Sequence, residues 1–111
     1  MDSAIEAISA RALATWLADP TRARPLLLDV REPWEFATCR LADSFPMPMR
    51  DVPARLAEID LDAPIFCVCH HGARSLQAAL FLKGRGATDV HNLTGGVAAW
   101  ALQVDPAFPT Y

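Results

Sequence analysis

The chain has 111 residues, of which 52% are hydrophobic and 21% are charged, and its formal net charge is −3 at pH 7. This length suits one compact domain over 1–111, and the composition excludes an intrinsically disordered chain. A net negative charge gives no general attraction to phosphate backbones or anionic lipids, so we expect neither nucleic acid nor a membrane surface as a partner.

The cysteines and the first residues indicate a cellular compartment. Cys39, Cys67 and Cys69 make an odd number, and two of them are separated by one residue, which is not the framework of a disulfide-rich secreted domain. Residues 1–15 carry three charged side chains and no continuous apolar run, unlike a signal peptide. No stretch approaches the ~18 apolar residues that would span a bilayer. We therefore expect a cytoplasmic protein.

The first half of the chain predicts helices and strands in alternation. Ser9 is placed to cap a helix whose apolar residues recur at three- and four-residue spacing. The run PLLLDV, 25–30, is typical of a strand buried on both faces, and Pro33 suits the first turn of the helix that follows. The prolines of SFPMPM, 44–49, reduce that run to a short edge strand.

The next segment predicts one more helix and one more buried strand. Asp51 is placed to cap a helix that carries Val52, Leu56 and Ile59 on one side. The run PIFCVC, 64–69, is the second strongly apolar stretch and predicts a strand.

The last part of the chain continues the alternation. A helix is predicted from about Ser75 and ends at the glycines of KGRG. DVHNL, 89–93, is a weaker strand, and GGVAAWAL, 95–102, is a last helix. The tail DPAFPTY, 105–111, is too rich in proline to continue it.

This alternation predicts an α/β fold with a mostly parallel central sheet of about five strands and helices on both faces. Trp16, Trp34 and Trp100 lie in amphipathic patterns and are predicted to be core residues. Ligands of such folds bind at the carboxyl ends of the strands, and Cys69 falls at such an end.

The segment around Cys69 is suited to an anion. Between Ala63 and Thr88 there is no Asp or Glu, whereas five basic or imidazole side chains fall there: His70, His71, Arg74, Lys83 and Arg85. A tight connection between a strand and a helix also offers free N–H groups and the positive end of the helix dipole. Both features favour a thiolate, which is the nucleophilic form of cysteine.

Gly72 and Arg74 complete the predicted loop. Glycine relieves the steric limit on φ where the chain must curl inward. The guanidinium of Arg74 can pair with a bound oxyanion or brace the loop through a carboxylate, and the sequence leaves both roles open.

Three motifs, LLLDVREPWEF, CHHGARS and NLTGGVAAW, resemble the rhodanese family of sulfurtransferases in their order and separation, from about Leu26 to Trp100. The resemblance implies a three-layer rhodanese-like domain in which Cys69 carries sulfur as a persulfide. The sulfur would come from a small anionic donor such as thiosulfate, or from a persulfide, and would pass to a thiol, a protein or cyanide. The resemblance implies no metal and no other cofactor.

By the same resemblance, Cys69 and Arg74 are the catalytic residues of the loop. The residues expected to bind substrate lie between and just after them: His70, His71, Gly72, Ala73 and Ser75. Partial positive charge on the two histidines would attract anions. Asp29 and Arg31 match the family's turn after a strand, and we expect them to support the loop through an ion pair or hydrogen bonds.

The chain departs from the family pattern after that turn. A stretch like His-Ile-Pro-Gly-Ala is common there, but this chain has CRLADSFPMP. Arg40 and Asp43 stand about where the histidine and the glycine would be, and Cys39 just before them is expected to be an exposed spectator.

Three alternative functions stay open. A cysteine phosphatase also uses Cys and Arg in an anion-binding loop, but only four residues separate Cys69 from Arg74, whereas some phosphatases with the rhodanese fold carry one more. A rhodanese-like domain that only binds or regulates is a second alternative. A metal site in CVCHH is the third, although two of its members fall in a strand and Cys67 is more simply a small core residue.

Overall fold

The computed structural model describes residues 5–111, so that the first four residues of the predicted 1–111 domain lie outside the described residues. Within this range the chain forms five strands: β1 (Glu6–Ile8), β2 (Leu26–Asp29), β3 (Phe45–Pro46), β4 (Ile65–Val68) and β5 (Val90–Leu93). It also forms four α-helices: α1 (Ala10–Ala18), α2 (Pro33–Thr38), α3 (Ala73–Gly84) and α4 (Gly96–Gln103). The strands make one sheet in the order β1-β5-β4-β2-β3, and every pair is parallel. The predicted α/β class is confirmed.

Local signals in the sequence account for where α1 and α2 begin. The Ser9 hydroxyl accepts a hydrogen bond from the N–H of Ala12 at 3.1 Å, as the cap prediction required. Glu32 precedes α2 and forms a capping box with Glu35, and Pro33 occupies the first turn, where no N–H is needed.

The sheet divides the core into two layers. All four residues of β4 are buried, and they alternate between its faces. Ile65 and Cys67 pack in the cluster on the side of α3, whereas Phe66 and Val68 pack in the cluster on the side of α1 and α4. A sheet covered on both faces holds β4 firmly and therefore fixes the position of the residue that follows it, Cys69.

The prediction of a helix after Asp51 is wrong. The segment forms two 3₁₀ turns instead, Met49–Asp51 and Leu56–Glu58, joined by turns. Pro53 supplies no N–H, and so short a segment is marginal as an α-helix. Val52 and Ile59 are nevertheless buried, so that the apolar residues predicted to face the core reach it without a regular helix.

Two predictions around α2 are also wrong. Trp34 was expected in the core but is 61% exposed, and Cys39 was expected to be exposed but is buried. Glu35 is the buried residue of α2, and Arg31 before the helix and Cys39 after it are buried at four-residue spacing from Glu35, so that the side of this segment that faces the core is largely polar. Trp34 lies one position away from this face and points outward.

The connection after α2 contains Asp43 with φ at +63°, a left-handed backbone conformation that glycine adopts most easily. This is the position at which the sequence departs from the glycine of the family pattern. In residues 5–111 no helix has both the length and the apolar character needed to cross a membrane.

Candidate active site

Three neighbouring strand ends meet at one edge of the sheet and build the site. Arg31 follows β2, Cys69 follows β4, and Gly96 follows β5. The strands β2, β4 and β5 are adjacent in the sheet, and the carboxyl ends of parallel strands lie on the same side. Residues that are far apart in sequence are therefore brought around the Cys69 loop.

The sulfur of Cys69 lies at the beginning of α3. Its Sγ accepts a hydrogen bond from the Gly72 N–H at 3.0 Å and lies 3.2 Å from the Ser75 hydroxyl. Gly72 is the N-cap of α3 and has φ at +107°, so that its N–H turns toward the sulfur. The helix begins at Ala73, two residues earlier than predicted, and its positive end favours an anionic sulfur.

Cys69 is enclosed more completely than the sequence suggested. Cys69 is 1% exposed. Several backbone N–H groups were expected to donate to Sγ, but among the described residues only the Gly72 N–H does so. Ser75 supplies the second polar contact and is itself buried.

Ser75 connects the sulfur to Asn92 on β5. The Ser75 hydroxyl lies 2.5 Å from Asn92 Oδ1 and has one hydrogen to donate. When Cys69 is a thiol, its S–H can donate to Ser75, which in turn donates to Asn92. Beside an anionic sulfur, the same hydroxyl hydrogen can turn toward Sγ. Either charge state of Cys69 therefore has a partner.

The backbone of the loop is fixed by α4 and by Asn92. The N–H groups of Val97 and Ala98 donate to the carbonyls of Cys69 and His70 at 2.9 and 3.1 Å, and Asn92 Nδ2 donates to the Gly72 carbonyl at 3.1 Å. Helix α4 comes this close to the Cys69 loop because it begins with a glycine.

Gly96 begins α4 and has φ at +60°. A Cβ at this position would clash with the backbone of Cys69 and His70. The second of the paired glycines in the third motif is thus explained by contact with the Cys69 loop, whereas a Cβ at Gly95, with φ at +76°, would meet Ala99 within α4.

Arg74 is held by a buried carboxylate on α2. Its Nη1 and Nη2 donate to Glu35 Oε1 and Oε2 at 2.6 and 2.9 Å, and the Glu35 side chain is 5% exposed. These hydrogen bonds, partly opposed by burial, lower the pKa of Glu35 to about 2 and raise the pKa of Arg74. Of the two roles left open by the sequence, this geometry supports bracing the loop through a carboxylate.

Asp29 and Arg31 form an ion pair beneath α2. Arg31 Nη2 lies 2.7 Å from Asp29 Oδ2, and both side chains are fully buried. The same Nη2 donates to the Cys39 carbonyl at 2.6 Å. Burial lowers the pKa of Arg31, but the hydrogen bonds of Asp29 and Tyr111 outweigh it and leave that pKa above its ordinary value. The pair anchors the ends of α2, and its link to the Cys69 loop passes through Glu35.

His70 and His71 stack on each other beside a small cavity. Their ring centroids are 4.0 Å apart, and the ring of Tyr111 stacks on the other face of His70 at 4.2 Å. The cavity measures about 200 Å³ and lies between these histidines, the start of α4 and the tail 109–111. Burial and the neighbouring His71 lower the pKa of His70, which favours its neutral form. This shift reduces the positive charge that was expected of His70.

Three residues of the site were not expected from the sequence: Glu35, Asn92 and Tyr111. Glu35 stands inside the first motif, and Asn92 is a polar residue within an otherwise apolar strand, so a signal existed for both. Tyr111 stands in a proline-rich tail that gave no reason to place it near Cys69.

The CVCHH stretch does not converge on a metal site. In residues 5–111 there is no group of three or more His, Cys, Asp and Glu side chains placed to hold a metal ion. Cys67 lies in the core, where burial raises the pKa of its thiol to about 12. It behaves as a small apolar residue.

Comparison with known proteins identifies the domain type. Residues 9–103 match the model of the rhodanese-like domain. A sulfurtransferase of Allochromatium vinosum is 38% identical over 97 residues, which cover 87% of this chain and 89% of that protein. A thiosulfate sulfurtransferase, GlpE, of Pseudomonas syringae is 37% identical over 75 residues, covering 68% and 71% of the two chains. A rhodanese-like domain protein of Staphylococcus aureus has the same fold, with a TM-score of 0.81, 24% identity and coverage of 96% and 99%.

Proposed function

The chain belongs to the rhodanese-like domain family, and we propose that it is a sulfurtransferase that carries sulfane sulfur as a persulfide on Cys69. The observation that supports this is the position of Sγ at the N-terminus of α3, with Gly72 N–H at 3.0 Å and the Ser75 hydroxyl at 3.2 Å. These donors favour an anionic sulfur and require no metal and no general base.

The first half-reaction loads the enzyme. The Cys69 thiolate attacks the outer sulfur of thiosulfate, the sulfur–sulfur bond of thiosulfate breaks, and its electron pair leaves with sulfite. A persulfide anion remains on Cys69, and no proton is gained or lost. Its outer sulfur lies about 2 Å from Sγ, so that loop amides not used by the thiol are available to it.

The second half-reaction unloads it. A thiolate, a protein cysteine or cyanide attacks the outer sulfur, the bond to Sγ breaks, and its electron pair returns to Cys69 as thiolate. We propose a small anionic donor and a thiol or protein acceptor, because the loop holds no carboxylate that would repel them and Glu35 is neutralised by Arg74. Three free cysteines suit the reducing cytoplasm, where we place the protein.

The remaining residues of the loop act around the sulfur. Gly72 and Ser75 contact Sγ directly, whereas His70 and His71 border the adjoining cavity. Ala73 begins α3 without a side chain that would block the approach of an anion. Arg74 keeps the loop in shape through Glu35, with Asp29 and Arg31 as its support.

Intact mass spectrometry after incubation with thiosulfate tests the proposal. We expect the mass to increase by one sulfur atom and cyanide or a dithiol to remove it. Cys69→Ser should abolish the increase and leave the fold intact, whereas Cys67→Ala and Cys39→Ala are matched controls that still load. Loading that persists in Cys69→Ser would disprove the assignment.

A second candidate is a domain that binds a partner without catalysis, and the 1% exposure of Cys69 is the observation in its favour. In that case the wild-type protein would keep its mass after incubation with thiosulfate. Phosphatase activity is tested in parallel with an aryl phosphate. Phosphate release without sulfur loading would replace the sulfurtransferase proposal.

A further inference from the structure

Tyr111 lies far from Cys69 in sequence but joins two parts of the site through its hydroxyl. The hydroxyl accepts a hydrogen bond from Arg31 Nη1 at 3.0 Å and donates one to Glu35 Oε2 at 2.7 Å. Arginine has only donors, so the direction of these two bonds is fixed. Glu35 Oε2 also accepts from Arg74 at 2.9 Å. One hydroxyl therefore links the buried Asp29–Arg31 pair to the residue that holds the loop.

The Tyr111 hydroxyl remains a hydrogen-bond donor at neutral pH. Burial is the largest influence on Tyr111 and raises its pKa to about 12, so that the phenol keeps its proton. The Glu35 carboxylate accepts hydrogen bonds from Arg74, from the Glu32 N–H and from the Tyr111 hydroxyl. These three donors leave it few free lone pairs and fix its orientation.

The ring of Tyr111 makes a separate set of contacts. It stacks on His70 with centroids 4.2 Å apart and planes 25° apart, and it meets the edge of Trp34 at 5.3 Å. It also forms part of the wall of the cavity of about 200 Å³ beside the histidines. His70 is therefore held between two rings, those of His71 and Tyr111, directly after Cys69.

We propose that Tyr111 is a positioning residue for sulfur transfer: its hydroxyl orients Glu35 and hence Arg74, and its ring fixes His70 at the cavity. This inference rests on the proposed sulfurtransferase function and assigns a role to the tail 105–111. Tyr111 does not touch Sγ in the structure, so its effect must pass through these two neighbours.

Two variants separate the hydroxyl from the ring. Tyr111→Phe keeps the stacking and should lower kcat for thiosulfate about three- to tenfold while KM stays within about twofold of the wild type. Tyr111→Leu removes both contacts and should lower kcat/KM by at least about tenfold, with KM also raised. Thr38→Val is the matched control: it removes a hydroxyl that is hydrogen-bonded on the same helix as Glu35, but outside the site, and should leave both constants unchanged.

A double-mutant cycle tests whether the hydroxyl acts through Glu35. Tyr111→Phe should lower the rate of persulfide loading in the wild type but have little further effect in Glu35→Gln. The melting temperature of each variant is measured, and rates are compared well below it. Equal losses from Tyr111→Phe in both backgrounds, or wild-type kinetics in Tyr111→Leu, would overturn the role of Tyr111.

The same measurements distinguish this inference from the function on which it rests. If wild-type protein takes up no sulfur from thiosulfate, both proposals fail. If wild-type protein loads normally and Tyr111→Phe and Tyr111→Leu load at the same rate, the sulfurtransferase function stands and the positioning role alone is rejected.

Discussion

Arg74 directs both terminal nitrogens of its guanidinium at the two carboxylate oxygens of Glu35, at 2.6 and 2.9 Å. This fork ties the first turn of α3, which begins beside the sulfur, to α2, which begins after β2. Arg74 has further donors, and in the structure its guanidinium is oriented by Glu35. The shape of the Cys69 loop therefore depends on a contact made outside the loop.

Replacing Arg74 should affect stability as well as activity. Arg74→Ala leaves a buried carboxylate without its ion-pair partner and should lower the free energy of unfolding by about 2 kcal/mol, a value reduced because Arg74 is one-third exposed. Arg74→Lys keeps the charge but not the fork and should be intermediate. Urea denaturation measures the stability of both variants, and mass spectrometry after incubation with thiosulfate measures their sulfur loading. Normal stability with lost loading in Arg74→Ala would indicate direct substrate contact instead.

Acid should weaken the protein through Glu35. The hydrogen bonds of Arg74 lower the pKa of this carboxyl from 4.5 to about 2 in the folded protein, so protonation favours the unfolded state. The stabilisation is complete above about pH 4.5 and is lost as the pH falls toward about 2. The difference in unfolding free energy between wild type and Glu35→Gln should therefore shrink over this range in urea titrations. A constant difference would show that Glu35 has an ordinary pKa.

A side chain at Gly96 should damage the loop. Gly96→Ala places a Cβ against the backbone of Cys69 and His70 at a positive φ, and should cost at least about 2 kcal/mol and slow persulfide loading. Gly84→Ala is the matched control, since no atom lies within 4 Å of its new Cβ and its φ is not positive. It should leave loading unchanged. Thermal melts and mass spectrometry measure the two effects, and similar behaviour of both variants would contradict the proposed contact.

The left-handed backbone at Asp43 predicts a difference between two small substitutions. Asp43→Ala should be less stable than Asp43→Gly by about 1 kcal/mol, because alanine strains at φ +63° and glycine does not. Both variants lose the exposed contact with Arg24, so that this loss cancels in the comparison. Chemical denaturation of the two variants measures this difference in stability. If alanine proved as stable as glycine, the positive φ would be in doubt.

The elements around Cys69 were predictable because their signals are local. An apolar run that ends at Cys69, a glycine at position 72 and apolar residues at helical spacing after it specify strand, turn and helix without reference to the rest of the chain. The start of α3 was misplaced by two residues, since Gly72 itself serves as the cap.

The contacts that complete the site were not predictable in the same way. Arg74 finds its carboxylate 39 positions earlier in the chain, and Tyr111 reaches Glu35 across 76 positions. Such pairings depend on the order of strands in the sheet. The prediction for Trp34 was wrong for a related reason. Periodicity shows that a helix has two faces, but the buried face of α2 is the one that carries Glu35, a charged residue that a hydrophobicity pattern assigns to solvent.

The two strands at the margins of the sheet bear on how the protein behaves at high concentration. β1 has three residues and β3 has two, and the second of these is Pro46, which has no N–H to offer. Within residues 5–111, little unpaired strand backbone is therefore presented to a neighbouring molecule for intermolecular strand addition. Concentrated samples should resist aggregation through these two edge strands, whether or not Cys69 carries a sulfur.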